Sequence, residues 1–230
     1  MSGVVVPGFA TSRKTPGVFL NVILGGAASS PAASPIKILL MGNKSAAISV
    51  SSPTLALPAG TIAVNTPIAL ASEDDAATYF GLGSEVHVMA RAVFAQYPDA
   101  TLYGIAVAEA GTAGDVICTF ANAATAAYAL RVRACGYTFD VSVASGDSIA
   151  TIVTALCNAV NAVTWLPFYA QFSTGAVTFT AKNTGPRGND LAVLLSFVSS
   201  SGTETPITTS STTSPGATTG IMSGGAASGN

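Results

Sequence analysis

Charge is scarce in this 230-residue chain: Lys and Arg number 9, Asp and Glu 11, so 9% of residues are ionic, against roughly 25% in an ordinary domain. That shortage excludes whole classes of partner. Nucleic-acid binding requires a local excess of Lys and Arg to displace counterions, whereas this sequence carries a net charge of −2 and no basic run. Histidine is scarcer still, His87 being the only one. A two-histidine metal site within the chain is therefore excluded, and a Ser-His-Asp triad would have to be built on that single ring. Long apolar runs are also missing. Mean hydropathy is +0.54, but it comes largely from Ala and Val, and no stretch approaches the ~18 apolar residues of a membrane span. No membrane insertion is expected. The N-terminus does not read as a signal peptide, because Arg13 and Lys14 follow the first apolar run and no charged segment precedes it. Cys118, Cys135 and Cys157 are odd in number and widely spaced among apolar neighbours. Reduced, buried packing residues are expected in preference to a disulfide or a metal site, which suits synthesis in a cytoplasm.

Ala, Ser, Thr and Gly fill the space the charges leave, and such a neutral surface invites contact with other protein. The length allows one large or two small domains. Residues 1–35 read as an arm: Pro7-Gly8 and Pro16-Gly17 are turn punctuation, and residues 18–24 (VFLNVIL) are rich enough in β-branched and aromatic side chains to form a strand. A small-residue tether, GGAASSPAASP, follows at 25–35. A strand tethered so loosely has no local partner, and its backbone groups must be satisfied at some sheet edge, which another subunit can supply.

Residues 36–110 read as an α/β unit. A short apolar strand ends at Gly42, and a segment punctuated by Pro53, Pro58 and Pro67 follows as extended loop and edge strand. Ser72 caps a brief helix whose Glu73, Asp74 and Asp75 favour the positive end of the dipole. Phe80-Gly81-Leu82-Gly83 breaks that helix, and Ser84-Glu85 starts a second, with Val86, Met89, Ala90, Val93, Phe94 and Tyr97 on one face. A strand at 102–107 closes the unit, and the order allows it to run parallel to the first. Residues 109–115 (EAGTAGD) read as a hinge-like link. From 115 to 200 strands are expected at 116–121, 128–134, 137–143, 167–172, 177–182 and 191–198, with turns at Cys135-Gly136 and Thr174-Gly175. One helix, capped by Asp147 or Ser148, presents Ile149, Ile152, Val153, Leu156 and Val160 on one face. The order implies a mainly antiparallel sheet covered by a helix, a peripheral α+β domain. Residues 201–230 form a Ser/Thr/Gly-rich extended segment. The fold class is thus mixed α+β and α/β, multidomain, behind an extended N-terminal arm.

Chemistry candidates are few, and each has a plainer explanation. His87 lies between two valines and reads as a packed or surface histidine. Glu73-Asp74-Asp75 could be paired carboxylates, but directly after Ser72 they are helix-start residues. Gly42-Asn43-Lys44-Ser45 lacks the Gly-Lys pair and spacing of a phosphate loop, and Gly81-Leu82-Gly83 follows a helix where a dinucleotide fingerprint needs a strand. The loop Gly185-Pro186-Arg187-Gly188-Asn189-Asp190 allows a phosphate or partner contact, yet Asn and Asp bonding their own backbone in a tight turn is the cheaper account. No catalytic residue, metal site or cofactor is expected, and the chain does not read as an enzyme; a hydrolase is the weakest rival.

Three stretches in sequence order resemble the tail sheath proteins of Mu-like contractile phages. They are Thr15-Pro16-Gly17-Val18-Phe19; the helix break from Ala77 through Phe80-Gly81-Leu82-Gly83-Ser84 to Glu85 and Met89; and Ala144-Ser145-Gly146-Asp147-Ser148 with Leu166-Pro167, Lys182-Asn183-Thr184-Gly185 and Gly188-Asn189-Asp190. The resemblance implies a virion structural protein, assembled in the host cytoplasm into six-fold rings around the tail tube, with baseplate and tail terminator proteins as further partners. It implies that terminal arms exchange strands between neighbours, so Pro16, Gly17, Val18, Phe19, Leu20, Asn21 and Val22 become inter-subunit arm residues. It also implies a spring: a metastable extended sheath that shortens and drives the tube through the envelope. Family members are longer and continue into a C-terminal domain, so a fragment, split product or trimmed form is expected here. The rival from another class is an outward-facing virion module that binds host or another phage protein.

Overall fold

In the computed structural model, residues 37–108 and 110–207 are described, together with the backbone of 220–221 and 226–227. The arm at 16–22 and most of the 201–230 segment lie outside the described residues. All described residues belong to one unit, Lys37–Asn230, and the fold is mixed α+β.

The first half runs β1 (Lys37–Asn43), β2 (Ile48–Ser51), β3 (Thr54–Leu57), β4 (Pro67–Leu70), α1 (Glu73–Phe80), α2 (Glu85–Gln96) and β5 (Thr101–Val107). β1 lies parallel to β5, with Leu39 opposite Tyr103 and Met41 opposite Ile105. β4 runs antiparallel on the other side of β5, giving the order β1-β5-β4. A parallel pair needs a long crossover, which α1 and α2 help to supply. Pro67 opens β4 at the edge of the sheet, where a missing ladder donor costs least. The proline-punctuated stretch before it folds as the β2–β3 hairpin. Both helices start on serines, Ser72 accepting from the Asp75 N–H and Ser84 from the His87 N–H. Leu40, Leu70, Phe80, Val86, Ala90 and Leu102 form the core between helices and sheet.

The second half runs β6 (Gly111–Thr119), β7 (Tyr128–Ala134), β8 (Tyr137–Val143), α3 (Ile149–Ala162), β9 (Phe168–Ser173) and β10 (Ala176–Thr184). A 3₁₀ helix (Pro186–Asp190), β11 (Ala192–Ser199), β12 (Glu204–Pro206) and the two-residue strands β13 (Gly220–Ile221) and β14 (Ala226–Ala227) complete it. Both tight turns have positive φ at each central residue, Cys135 and Gly136, then Thr174 and Gly175, the backbone that a two-residue hairpin with native twist requires. The strands divide between two antiparallel sheets, β12-β11-β7-β8 and β14-β6-β10-β9, where the sequence suggested one. Leu130, Val132 and Leu195 of one sheet meet Phe168, Val177 and Phe179 of the other around Ile152, Leu156 and Val160 of α3. Fully burying one such side chain contributes roughly 1.5–3 kcal/mol.

Three local expectations need correction. The supposed hinge is largely strand: β6 begins at Gly111 and pairs with β10 across a register shift, and Gly114 lets the 3₁₀ helix approach to where a Cβ would lie 2.7 Å from Asn189 Oδ1. Cys118 and Cys157 are buried and free, but Cys135 is exposed at its hairpin tip, because the turn that needs it points away from the core. The Gly185–Asp190 loop folds as a 3₁₀ helix started by Pro186 where a tight turn is expected, and its arginine has a partner described below. Among the described residues, no helix is long and apolar enough to cross a membrane.

Candidate functional site

Two features stand out: a polar seam where the two hydrophobic clusters meet, and an uncovered sheet face. The seam is built on the helix break. Gly81 ends α1 at φ +88°, its N–H donating to the Ala77 carbonyl, and Gly83 follows at φ +76°, a backbone conformation that favours glycine. A side chain at Gly83 would also collide, since a Cβ there would lie 2.2 Å from the Leu166 carbonyl oxygen and 2.7 Å from Lys182 Nζ. The Phe-Gly-Leu-Gly-Ser motif is thus the surface on which the first half receives the second.

Polar groups fasten the seam on both sides of that point. Glu85, at the start of α2, accepts from the Asn43 N–H at the end of β1 (2.9 Å) and from Arg187 Nη1 of the 3₁₀ helix (2.6 Å). Farther along α2, the Arg91 guanidinium lies 4.2 Å from the centroid of the Trp165 ring, within the ~6 Å reach of a cation–π contact, and donates to Glu73 at 2.9 Å. The Phe172 N–H donates to the Ser52 carbonyl at 3.0 Å.

Two titratable groups are buried here. His87 is 1% exposed; its Nδ1 accepts from the Gly83 N–H at 2.9 Å and its Nε2 faces Glu73 Oε1 at 3.6 Å. Burial lowers its pKa below 6.5, opposed by Glu73 and assisted by Lys182 and Arg91. Lys182 is 5% exposed and donates to the Thr164 carbonyl at 2.5 Å; burial pulls its pKa down from 10.5 to about 8. No carboxylate lies within ion-pair distance of it among the described ion pairs.

The other candidates fall into structural roles. Asp75 donates its N–H to the Ser72 cap and accepts from the Ala71 N–H, while Glu73 holds Arg91. Lys44 reaches the carbonyls of Ile62 (2.7 Å) and Gly60 (3.3 Å), which fastens the loop after β1 instead of offering its charge to a phosphate. Among the described residues, no group of three or more His, Cys, Asp or Glu side chains could hold a metal ion.

Among the described residues, nothing covers one face of the β1-β5-β4 sheet. Paired residues share a face, so Leu39, Tyr103 and Ala69 form one row and Met41, Ile105 and Pro67 the next. None of the six is charged. Leu39 is 51% and Met41 57% exposed, while Lys37 stands at the rim with its Nζ 5.8 Å from the Tyr103 ring centroid. A parallel pair apolar on both faces is the pattern of strands covered on both sides; here the helices cover one.

Sequence reasoning identified the helix break and the shortage of polar chemistry but did not single out Lys182, Arg91 or Trp165. Their signal was visible only as isolated exceptions, such as the one charged residue of β10 and the chain's single Trp. Compared with protein-family models and with curated proteins, the chain matches none.

Proposed function

We propose that the chain is a structural subunit of a contractile phage tail sheath, assembling with copies of itself into six-fold rings around a tail tube. The observation that carries this reading is the apolar sheet face of Leu39, Met41, Tyr103 and Ile105, with Lys37 at its rim. Apolar surface gathered on one side of a chain with so few ionic residues is a contact surface, and neighbouring subunits are the partner that a polymer supplies. The sequence resemblance, running from Thr15 to Asp190, gives the kind of polymer. In this reading the strand at 18–24 adds to a neighbour's sheet, using backbone hydrogen bonds for affinity and alternate side chains for fit. The 25–35 tether then acts as a hinge that preserves connectivity when subunits rotate during contraction.

The work is mechanical, and no residue is assigned a catalytic step. The engagement of His87 Nδ1 by the Gly83 N–H, the burial of that ring and the occupation of Lys44 by backbone carbonyls favour this over a hydrolase. The tail tube, baseplate and tail terminator proteins are the further partners, the virion the location, and the host cytoplasm the place of assembly.

Negative-stain electron microscopy of the protein expressed from its native gene tests the proposal. Rings or tubes with six-fold symmetry are expected. Discrete particles at every concentration would overturn it in favour of an outward-facing binding module.

A further inference from the structure

The seam holds its two sides together at a point that a single proton can disturb. Because Nδ1 of His87 accepts from the Gly83 N–H, the ring is neutral and carries its proton on Nε2, toward Glu73. The groups facing it are Glu73 and Asp74 from α1, Arg91 from α2 and Lys182 from β10. Gly83 touches both sides of the seam, bonded to His87 behind it and packed against Leu166 and Lys182 in front.

We propose that His87 makes the contact between the α1–α2 junction and the wall of Leu166 and Lys182 an acid-opened latch. A proton arriving at Nδ1 occupies the lone pair that Gly83 uses, so an acceptor becomes a donor facing a donor. The same proton sets a second cation near the Lys182 ammonium, in a place too buried for water to screen either. Both effects act on Gly83. The junction withdraws from Leu166 and Lys182, and the flanking contacts, Glu85 with Arg187 and Arg91 with Trp165, loosen with it.

The direction of the pH effect follows from linkage. Burial keeps the ring's proton affinity below that of an exposed histidine; Glu73 and Asp74 oppose this, while Lys182 and Arg91 add to it. The unfolded chain therefore binds the proton first as pH falls below 6.5, so the latch is fully closed above 6.5, weakens from there down to the lowered value, and levels off below it. The inference is independent of the sheath proposal, since it concerns the two halves of one chain.

Trp165 is the only tryptophan and lies in the seam, which makes the test direct. Hydrogen exchange at the Gly83 amide, corrected for intrinsic rate, and acrylamide quenching of Trp165 are followed from about pH 7.5 to about pH 4.5, with circular dichroism verifying that the fold persists. Between 6.5 and the lowered value, Gly83 protection should fall about tenfold per pH unit and quenching should rise in step. In His87→Asn the amide oxygen can take the place of Nδ1 without titrating, so both readouts should become flat over the same range. Glu73→Gln removes the anion that favours the protonated ring in the closed latch, so the loss of protection should begin near the same pH and continue to lower pH than in the native protein. An unchanged transition in His87→Asn, no transition in the native protein, or a loss of protection that extends no further in Glu73→Gln would each overturn the latch.

Discussion

Replacing Lys182 with Met should stabilise the protein. The ammonium is buried, bonded to the Thr164 carbonyl and without a carboxylate partner among the described ion pairs, and its pKa is lowered from 10.5 to about 8. A folded-state value below the unfolded one means that the unfolded chain holds the proton more tightly between those two pH values. Stability therefore rises with pH from about 8 to about 10.5, and below that window the charge costs about 3 kcal/mol, at ~1.4 kcal/mol per pH unit. Methionine keeps most of the stem's volume and removes the charge, but leaves the Thr164 carbonyl without its donor, a loss of about 1–2 kcal/mol. The net expectation is a gain of about 1–2 kcal/mol at neutral pH, or roughly 2–8 °C in Tm at ~2–4 °C per kcal/mol for a chain of this size. Urea denaturation of both proteins at pH 7 and at pH 10.5 measures it. The native protein should gain about 3 kcal/mol relative to Lys182→Met across that interval, reversing their order. A variant less stable than the native protein at pH 7, or a gap that does not change with pH, would refute the reasoning.

Other outcomes follow from equally specific features. Met41→Glu places a charge on the uncovered sheet face and should suppress particle formation in light scattering while changing stability by less than about 0.5 kcal/mol in a melt. Glu204 is held at a pKa of about 2 by Arg133 first, then Ser196 and Arg131. The attachment of β12 to β11 should therefore be fully present above about pH 4.5 and lost as pH falls toward 2, read as faster amide exchange at 204–206; Ser196→Ala should move that loss to higher pH. Tyr128 Oη is buried with no hydrogen-bond partner among the described residues, so Tyr128→Phe should be neutral or stabilising by up to about 1 kcal/mol in denaturant titration. Ser148 caps α3 by accepting from the Thr151 N–H at 3.2 Å, and Ser148→Ala should cost about 1 kcal/mol in the same assay.

Local signals were legible where a short segment decides its own structure. Three serines, at 72, 84 and 148, start the three described helices as their position before an apolar periodicity implies, and β7 and β8 match 128–134 and 137–143 because a two-residue turn fixes both ends. Pairings set by distant partners were less legible. Gly111, Ala113 and Gly114 carry little strand propensity of their own, and pairing with β14 and β10 draws this stretch into β6. The division of strands between two sheets depends on the pairing of β11 with β7, about sixty residues away along the chain. The seam was hidden for the same reason: Glu85 and Arg187, or Arg91 and Trp165, have nothing in common in the sequence until the fold brings them together. The helix break was readable as a break, but its second role as a receiving surface became visible only with Leu166 and Lys182 against Gly83.

The proposed function rests on this chain linking to copies of itself through residues 18–24. Cross-linking mass spectrometry on particles made from a mixture of isotopically light and heavy subunits measures that directly, using a cysteine at position 20 and photo-reactive chemistry on its neighbours. The account predicts mixed light–heavy cross-links from Leu20→Cys as the dominant product, and their loss together with the particles when Asn21→Pro is added. Cross-links confined to a single isotopic species would contradict it.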